Sequence, residues 1–312
     1  MKIYKPKFWD KRGRISLFSI LLLPLSIIAI IKNYYENEKI KKNFYNLKTI
    51  CVGNIYIGGT GKTPLVYNLA NHFKKRFKTF IIKKNYYSQL DEKKLLETKH
   101  KVIFEKTREL SIAIAEKEKA EILIFDDGLQ EKKINYDLKI VCFNSSKLDG
   151  NGFIIPAGPL RERLDSIKGY DVVLINGNYN TESKNFINKI KKINQDIKIF
   201  TGKYVPKDYS KLKRKKFIIF SGIGNPHTFS DTLKSLKIKF IRYEKFPDHY
   251  DYKESDLYKL KNLANKNNCE LLTTEKDYFR IKKTLRKNIN FLKVELSVDQ
   301  EKQFYKYLGE KL

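Results

Sequence analysis

The chain has 312 residues, enough for two domains and a sizeable core, and its 41 % hydrophobic and 13 % aromatic content excludes a disordered polymer. A formal charge of +29 points toward anionic partners, but the excess is mostly lysine spread over the whole length, without an arginine stripe or an RNP-like aromatic motif, so no dedicated nucleic-acid function is expected. Cys51, Cys142 and Cys269 lie in or beside apolar strand-like runs, with no C-x-x-C pair and no companion histidine at metal spacing, which predicts reduced thiols and no structural zinc.

At the amino end, residues 15–31 form an uncharged, mostly aliphatic stretch interrupted by Pro24, with Lys2, Lys5, Lys7, Lys11, Arg12 and Arg14 before it and Lys32 after it. Its length is at the lower edge of what crosses a bilayer. No small-x-small cleavage site follows, and residues 33–46 continue as a polar helical pattern, which argues against a cleaved signal peptide. Basic residues at both ends give no orientation by charge. The expected element is a helix dipping into the cytoplasmic leaflet, its apolar face in lipid and its lysines on anionic headgroups. The competing expectation is a helix buried in a soluble core. This membrane-associated segment is expected to span residues 1–47.

The next run carries the most information. Lys48-Thr49-Ile50-Cys51-Val52 predicts a strand, a helix is expected to begin near Thr63, and between them lies Gly53-Asn54-Ile55-Tyr56-Ile57-Gly58-Gly59-Thr60-Gly61-Lys62-Thr63-Pro64. This reads as a phosphate-binding loop: glycines let backbone N–H groups turn toward a phosphate, Lys62 reaches its oxygens, and the Thr63 hydroxyl is placed for Mg²⁺ at a helix amino terminus. The strict pattern would need glycine where Tyr56 stands, so the motif is a relaxed one. Tyr56, Ile57, Gly58, Gly59, Thr60, Gly61, Lys62 and Thr63 are the candidate nucleotide-binding residues, and ATP with Mg²⁺ is the expected ligand. A second apolar strand, 122–125, ends on Asp126-Asp127-Gly128, where enzymes with such a loop hold the metal and its waters. Thr63, Asp126 and Asp127 are therefore the candidate metal ligands.

Further strands are expected at 79–82, 102–104, 140–143 and 172–175, alternating with helical segments, which predicts a P-loop NTPase-like doubly wound α/β sheet over residues 48–204. A lysine-rich stretch at 204–216 reads as a connection. The alternation then restarts with strands at 217–220, 238–243 and 271–274, predicting a second, smaller α/β lobe over 205–312 that ends in a helix.

Six motifs in order resemble those of one family. They are the phosphate-binding loop, Asp126-Asp127-Gly128-Leu129-Gln130, Pro156-Ala157-Gly158-Pro159-Leu160-Arg161-Glu162, Gly222-Ile223-Gly224-Asn225-Pro226, Phe246-Pro247-Asp248-His249 and Thr274-Glu275-Lys276-Asp277. Together they resemble tetraacyldisaccharide 4′-kinases, the lipid A 4′-kinases, whose own loop has the relaxed form. The resemblance implies transfer of the γ-phosphate of ATP to the 4′-hydroxyl of a tetraacylated glucosamine disaccharide 1-phosphate, at the cytoplasmic face of the inner membrane. It also implies Asp91 as proton acceptor, paired with His249, with Lys62 neutralising the transferred group. Glu92, Arg108, Gln130, Arg161 and Glu162 are implied substrate contacts; arginine suits such a role because its planar fork grips phosphate bidentately. The chain departs from the family pattern at Lys93, where proline is usual, and at Lys83-Lys84-Asn85-Tyr86, where Ser-Arg-Gly-Tyr is usual. The rival reading is a membrane-anchored P-loop ATPase acting as a switch or assembly factor, which leaves the carboxy-terminal motifs unexplained.

Overall fold

The computed structural model describes residues 6–13, 15–38, 43, 45–84, 100–223, 226–247 and 250–312. The chain divides into two units. In the first, strands β1 (Lys48–Gly53), β2 (Thr79–Lys84), β3 (Val102–Glu105), β4 (Ile122–Asp126), β5 (Leu138–Asn144), β6 (Val172–Asn176) and β7 (Lys198–Lys207) lie in the order β3-β2-β4-β1-β5-β6-β7. The pairs from β3 to β7 are all parallel. These strands read as near-continuous apolar runs because both faces are covered: Ile50, Cys51, Val52, Leu123, Ile124 and Phe125 are each completely buried. Helices α2 (Lys62–Phe73), α3 (Arg108–Lys117) and α4 (Thr181–Ile193) connect them. The chain crosses from β1 by α2 to β2 and returns to β4, whereas β5 pairs on the opposite edge of β1, so the order of winding reverses at β1. In sheets wound this way, ligands bind at the carboxyl ends of the strands where the order reverses.

The second unit is built on residues 205–295. Its strands β8 (Lys216–Ser221), β9 (Lys239–Lys245), β10 (Glu270–Thr274) and β11 (Ile289–Val298) lie in the order β11-β10-β8-β9 and are again parallel. Helices α5 (Pro226–Ser235), α6 (Glu254–Lys266) and α7 (Glu275–Arg280) pack on them around Phe217, Phe220, Leu257 and Leu271. Two elements differ from the sequence reading. Residues 204–207 extend β7 rather than forming a connection, and β11 was not anticipated; both strands are only partly buried, so neither shows an unbroken apolar run. The last helix, α8 (Glu301–Lys311), expected in the second lobe, groups with the first unit: the Phe304 ring meets Phe200 edge-on and Tyr305 stacks on His72 at 3.7 Å.

The amino-terminal helix α1 (Leu17–Glu38) also belongs to the first unit, and it is amphipathic in an inverted sense. Among its described side chains, the buried ones are serines. Ser26 donates to the Ile154 carbonyl at 2.9 Å and accepts from the Ala157 N–H at 3.1 Å, while Ser19 accepts from the Asn151 amide at 3.1 Å. Its aliphatic residues face outward: Leu17 is 77 % and Leu21 75 % exposed, with Phe18, Leu25 and Ile28 also more than half exposed. The expectation of a helix buried in a soluble core therefore fails. Among the described residues, no helix is long and apolar enough to cross a membrane.

All three cysteines are free, and burial pushes the Cys142 thiol up to about 12 and the Cys51 thiol higher still. Among the described residues there is no cluster of three or more histidine, cysteine or carboxylate side chains that could hold a metal by themselves.

Candidate active site

The loop after β1 is propped from several directions. Gly58 (φ +114°) and Gly61 (φ +92°) take backbone conformations that side chains rarely allow, and Gly61 caps α2. Asn54, completely buried, donates its amide to the carbonyls of Tyr56 and Gly58. The Ile57 N–H bonds the Pro159 carbonyl at 2.9 Å, and the Tyr56 hydroxyl bonds Asp10 from the segment ahead of α1. Tyr56 thus replaces the missing glycine with an anchor. Helix α2 starts at Lys62, so Thr63 and Pro64 lie in a first turn whose N–H groups have no helical acceptor, and proline there loses nothing.

Parallel pairing sets Val52 beside Asp126, which brings the carboxylates to the loop. The Thr63 hydroxyl donates to Asp126 Oδ2 at 3.1 Å, and Lys83 Nζ sits 2.5 Å from the same oxygen. Both side chains of the Lys83–Asp126 pair are almost fully buried. Asp126 Oδ1, equally buried, makes no hydrogen bond in the protein. Asp127 sits at φ +61°, with its N–H on the Val52 carbonyl at 2.8 Å. Its Oδ1 lies 2.8 Å from Arg161 and 3.8 Å from Lys62 Nζ.

The remaining candidates form one network around this pair. Gln130 donates to Glu162 at 2.9 Å and to the Asn54 carbonyl at 3.1 Å, and accepts from Arg161 at 3.2 Å. Glu162 also accepts from Tyr170 at 3.1 Å, a phenol raised well above its ordinary range first by burial and then by that carboxylate. Arg108 is nearly buried and directs its guanidinium to the Asp127 carbonyl at 2.6 Å and to Glu131 at 3.6 Å. Lys62, Thr63, Arg108, Asp126, Asp127, Gln130, Arg161 and Glu162 are therefore brought together. Asp91, Glu92 and His249 lie outside the described residues.

A family model described as tetraacyldisaccharide-1-P 4′-kinase matches residues 16–312. The chain belongs to this kinase family. A tetraacyldisaccharide 4′-kinase from Pelagibacter ubique (strain HTCC1062) is 44 % identical over 308 residues, covering 97 % of this chain and 96 % of the relative. The one from Rickettsia canadensis (strain McKiel) is 35 % identical over 322 residues, covering 96 % and 94 %. Among solved structures, LpxK from Aquifex aeolicus, crystallised in complex with ATP, superposes with a TM-score of 0.74 over 95 % of this chain and 99 % of that one, at 24 % identity. The fold of that structure therefore holds over 95 % of this chain.

Sequence reasoning passed over Lys83 as a site residue, noting it only as a departure from the family pattern. The signal was there: a lysine closing the apolar run Thr79-Phe80-Ile81-Ile82 has to find a buried counter-charge, and the strand beside it ends on Asp126.

Proposed function

We propose that this chain is the ATP-dependent kinase that phosphorylates the 4′-hydroxyl of a tetraacylated glucosamine disaccharide 1-phosphate. The observation that carries the reading is the meeting of Lys62, Thr63, Asp126 and Asp127 at the amino end of α2, in a chain of this family. In the reaction the bond from the γ-phosphorus to the β–γ bridging oxygen breaks, and a bond to the 4′-oxygen forms. ADP leaves, and the hydroxyl proton passes to a carboxylate. Little covalent chemistry is asked of the protein; positioning and charge neutralisation do most of the work. Lys62 and the loop N–H groups hold the phosphates. Asp91 accepts the hydroxyl proton and His249 stabilises it in that role, an assignment supported by the family resemblance of those positions.

The residues fit Mg²⁺. Thr63 supplies a hydroxyl, Asp126 a buried oxygen without a protein partner, and Asp127 a second carboxylate; so few protein ligands suit an ion that keeps several waters. When bound, the ion supplies positive charge to the phosphate oxygens. The outward aliphatic face of α1 supports seating at the cytoplasmic leaflet, where an acylated substrate lies. Incubation with γ-labelled ATP and extracted lipid A precursor tests the proposal: label enters the lipid. Label released only as inorganic phosphate would favour the rival switch ATPase.

A further inference from the structure

Strand β6 ends on Asn176, two strands from β1 in the order β1-β5-β6. Its side chain is completely buried, and neither its amide oxygen nor its amide nitrogen makes a hydrogen bond within the protein. Burying a primary amide with both groups unpaired is costly, so the position calls for a partner that supplies one acceptor and one donor together. The amide is set against the phosphate loop: a Cβ built on Gly61 would lie 2.4 Å from Asn176 Nδ2 and 3.2 Å from the Tyr204 hydroxyl. The register pairs Asn176 with Gly202, so β7 runs on past the end of β6 and carries Tyr204, partly exposed, to the same place.

The direction of a nucleotide across this edge follows from the charges. Asp126 and Lys83 stand on β4 and β2, to one side of β1, and the Thr63 hydroxyl bonds Asp126, so on the nucleotide-site reading the terminal phosphate and its metal belong there. The sugar and base then extend the other way, over β5 and β6. Resting on the nucleotide-site reading above, we propose that Asn176 reads the base and selects adenine. Its carbonyl accepts from the 6-amino group and its NH₂ donates to N7, a pairing that adenine's outer edge offers and guanine's, with two acceptors, refuses. Tyr204 supplies an aromatic wall beside the base.

Calorimetric titration of the full-length protein with Mg-ATP, Mg-GTP, the 7-deaza analogue of Mg-ATP, and tripolyphosphate tests this. The unmodified protein binds the 7-deaza analogue and GTP about tenfold or more weakly than ATP, because each leaves part of the amide unpaired. Asn176→Ala weakens ATP by a similar factor, brings ATP and its 7-deaza analogue level, and leaves tripolyphosphate unchanged. Equal affinity of the unmodified protein for ATP and the 7-deaza analogue would overturn the proposal without recourse to any variant. So would an Asn176→Ala protein that loses tripolyphosphate in step with ATP while keeping its preference for ATP over the analogue; the amide would then only brace the loop. Failure of ATP and tripolyphosphate alike to bind the unmodified protein would overturn the nucleotide-site reading, and the proposal with it.

Discussion

Each unit has a buried aspartate at the carboxyl end of a central parallel strand, and the two are held in opposite ways. In the second unit Asp277, wholly buried in the short helix after β10, has both oxygens engaged: Oδ2 accepts from the Thr274 hydroxyl at 2.7 Å and Oδ1 from Arg280 at 2.9 Å, and its own N–H donates back to Thr274 at 3.1 Å. In the first unit Asp126 has Oδ2 on Lys83 and Thr63 and Oδ1 on nothing in the protein. A wholly buried carboxylate with a protein donor on each oxygen presents no unpartnered oxygen to a ligand. Asp126, with one oxygen unpartnered in the protein next to the Thr63 hydroxyl, is the one of the two that suits the metal role proposed above.

The comparison breaks most visibly if residues around Asp126 prove dispensable. Lys62→Ala is expected to lower kcat by roughly 10² or more, since it removes positive charge from a preorganised phosphoryl site. Near-normal turnover of that variant at saturating Mg-ATP would contradict the assignment. Asp91→Ala and His249→Ala are each expected to cost about 10²-fold in kcat with modest changes in KM, and the double variant to be little worse than the poorer single one, as for groups that act as a unit. If Asp91→Ala retains full kcat and His249→Ala does not, the proton acceptor is another carboxylate, Glu92 first.

Lys83 sharpens the contrast, because it is to Asp126 what Arg280 is to Asp277, but it shares its oxygen with Thr63 and leaves the other without a protein partner. Lys83→Met leaves a buried carboxylate without its counter-charge, at a cost of about 3–5 kcal/mol to the ligand-free protein. Mg-ATP restores positive charge beside Asp126, so the thermal shift on adding Mg-ATP should be larger for Lys83→Met than for the unmodified protein. An equal or smaller shift would mean that Asp126 does not face the metal.

Removing the first thirty residues addresses the other open surface, the aliphatic face of α1. The truncated protein should leave the membrane fraction and show a higher apparent KM for lipid in vesicles with little change for ATP. An undiminished membrane fraction would transfer docking to a different, lysine-rich surface. The mildest effect concerns the thiols. Native protein at pH 8 should be alkylated at the partly exposed Cys269 and spared at Cys51 and Cys142, where burial raises the thiol far above its ordinary range.

What could be read from the sequence was what local chemistry dictates. Gly58 and Gly61, Lys62-Thr63 and the strand-ending Asp126-Asp127 announce themselves because turn geometry, phosphate charge and metal binding each restrict the residue type at a fixed spacing. The apolar strands of the first unit were visible for the same reason that they are buried. What escaped depends on partners distant in sequence. Lys83 acquires its role only through pairing with β4, the serines of α1 through loop partners more than a hundred residues away, and Asn176 through its approach to Gly61. Strand β11 escaped because its half-exposed pattern shows no unbroken apolar run, and the placement of α8 because nothing local in a terminal helix says which unit it joins.

The most direct test of the difference between the two aspartates is a paired measurement of kcat and thermal midpoint on Asp126→Asn and Asp277→Asn, with turnover recorded well below both midpoints. Asp126→Asn should lose about 10²-fold or more in kcat. Asp277→Asn should keep kcat within a few-fold while its midpoint falls, since its loss is that of a buried charge pair and not of a ligand. Comparable loss of kcat in both variants, or full turnover in Asp126→Asn, would contradict the account.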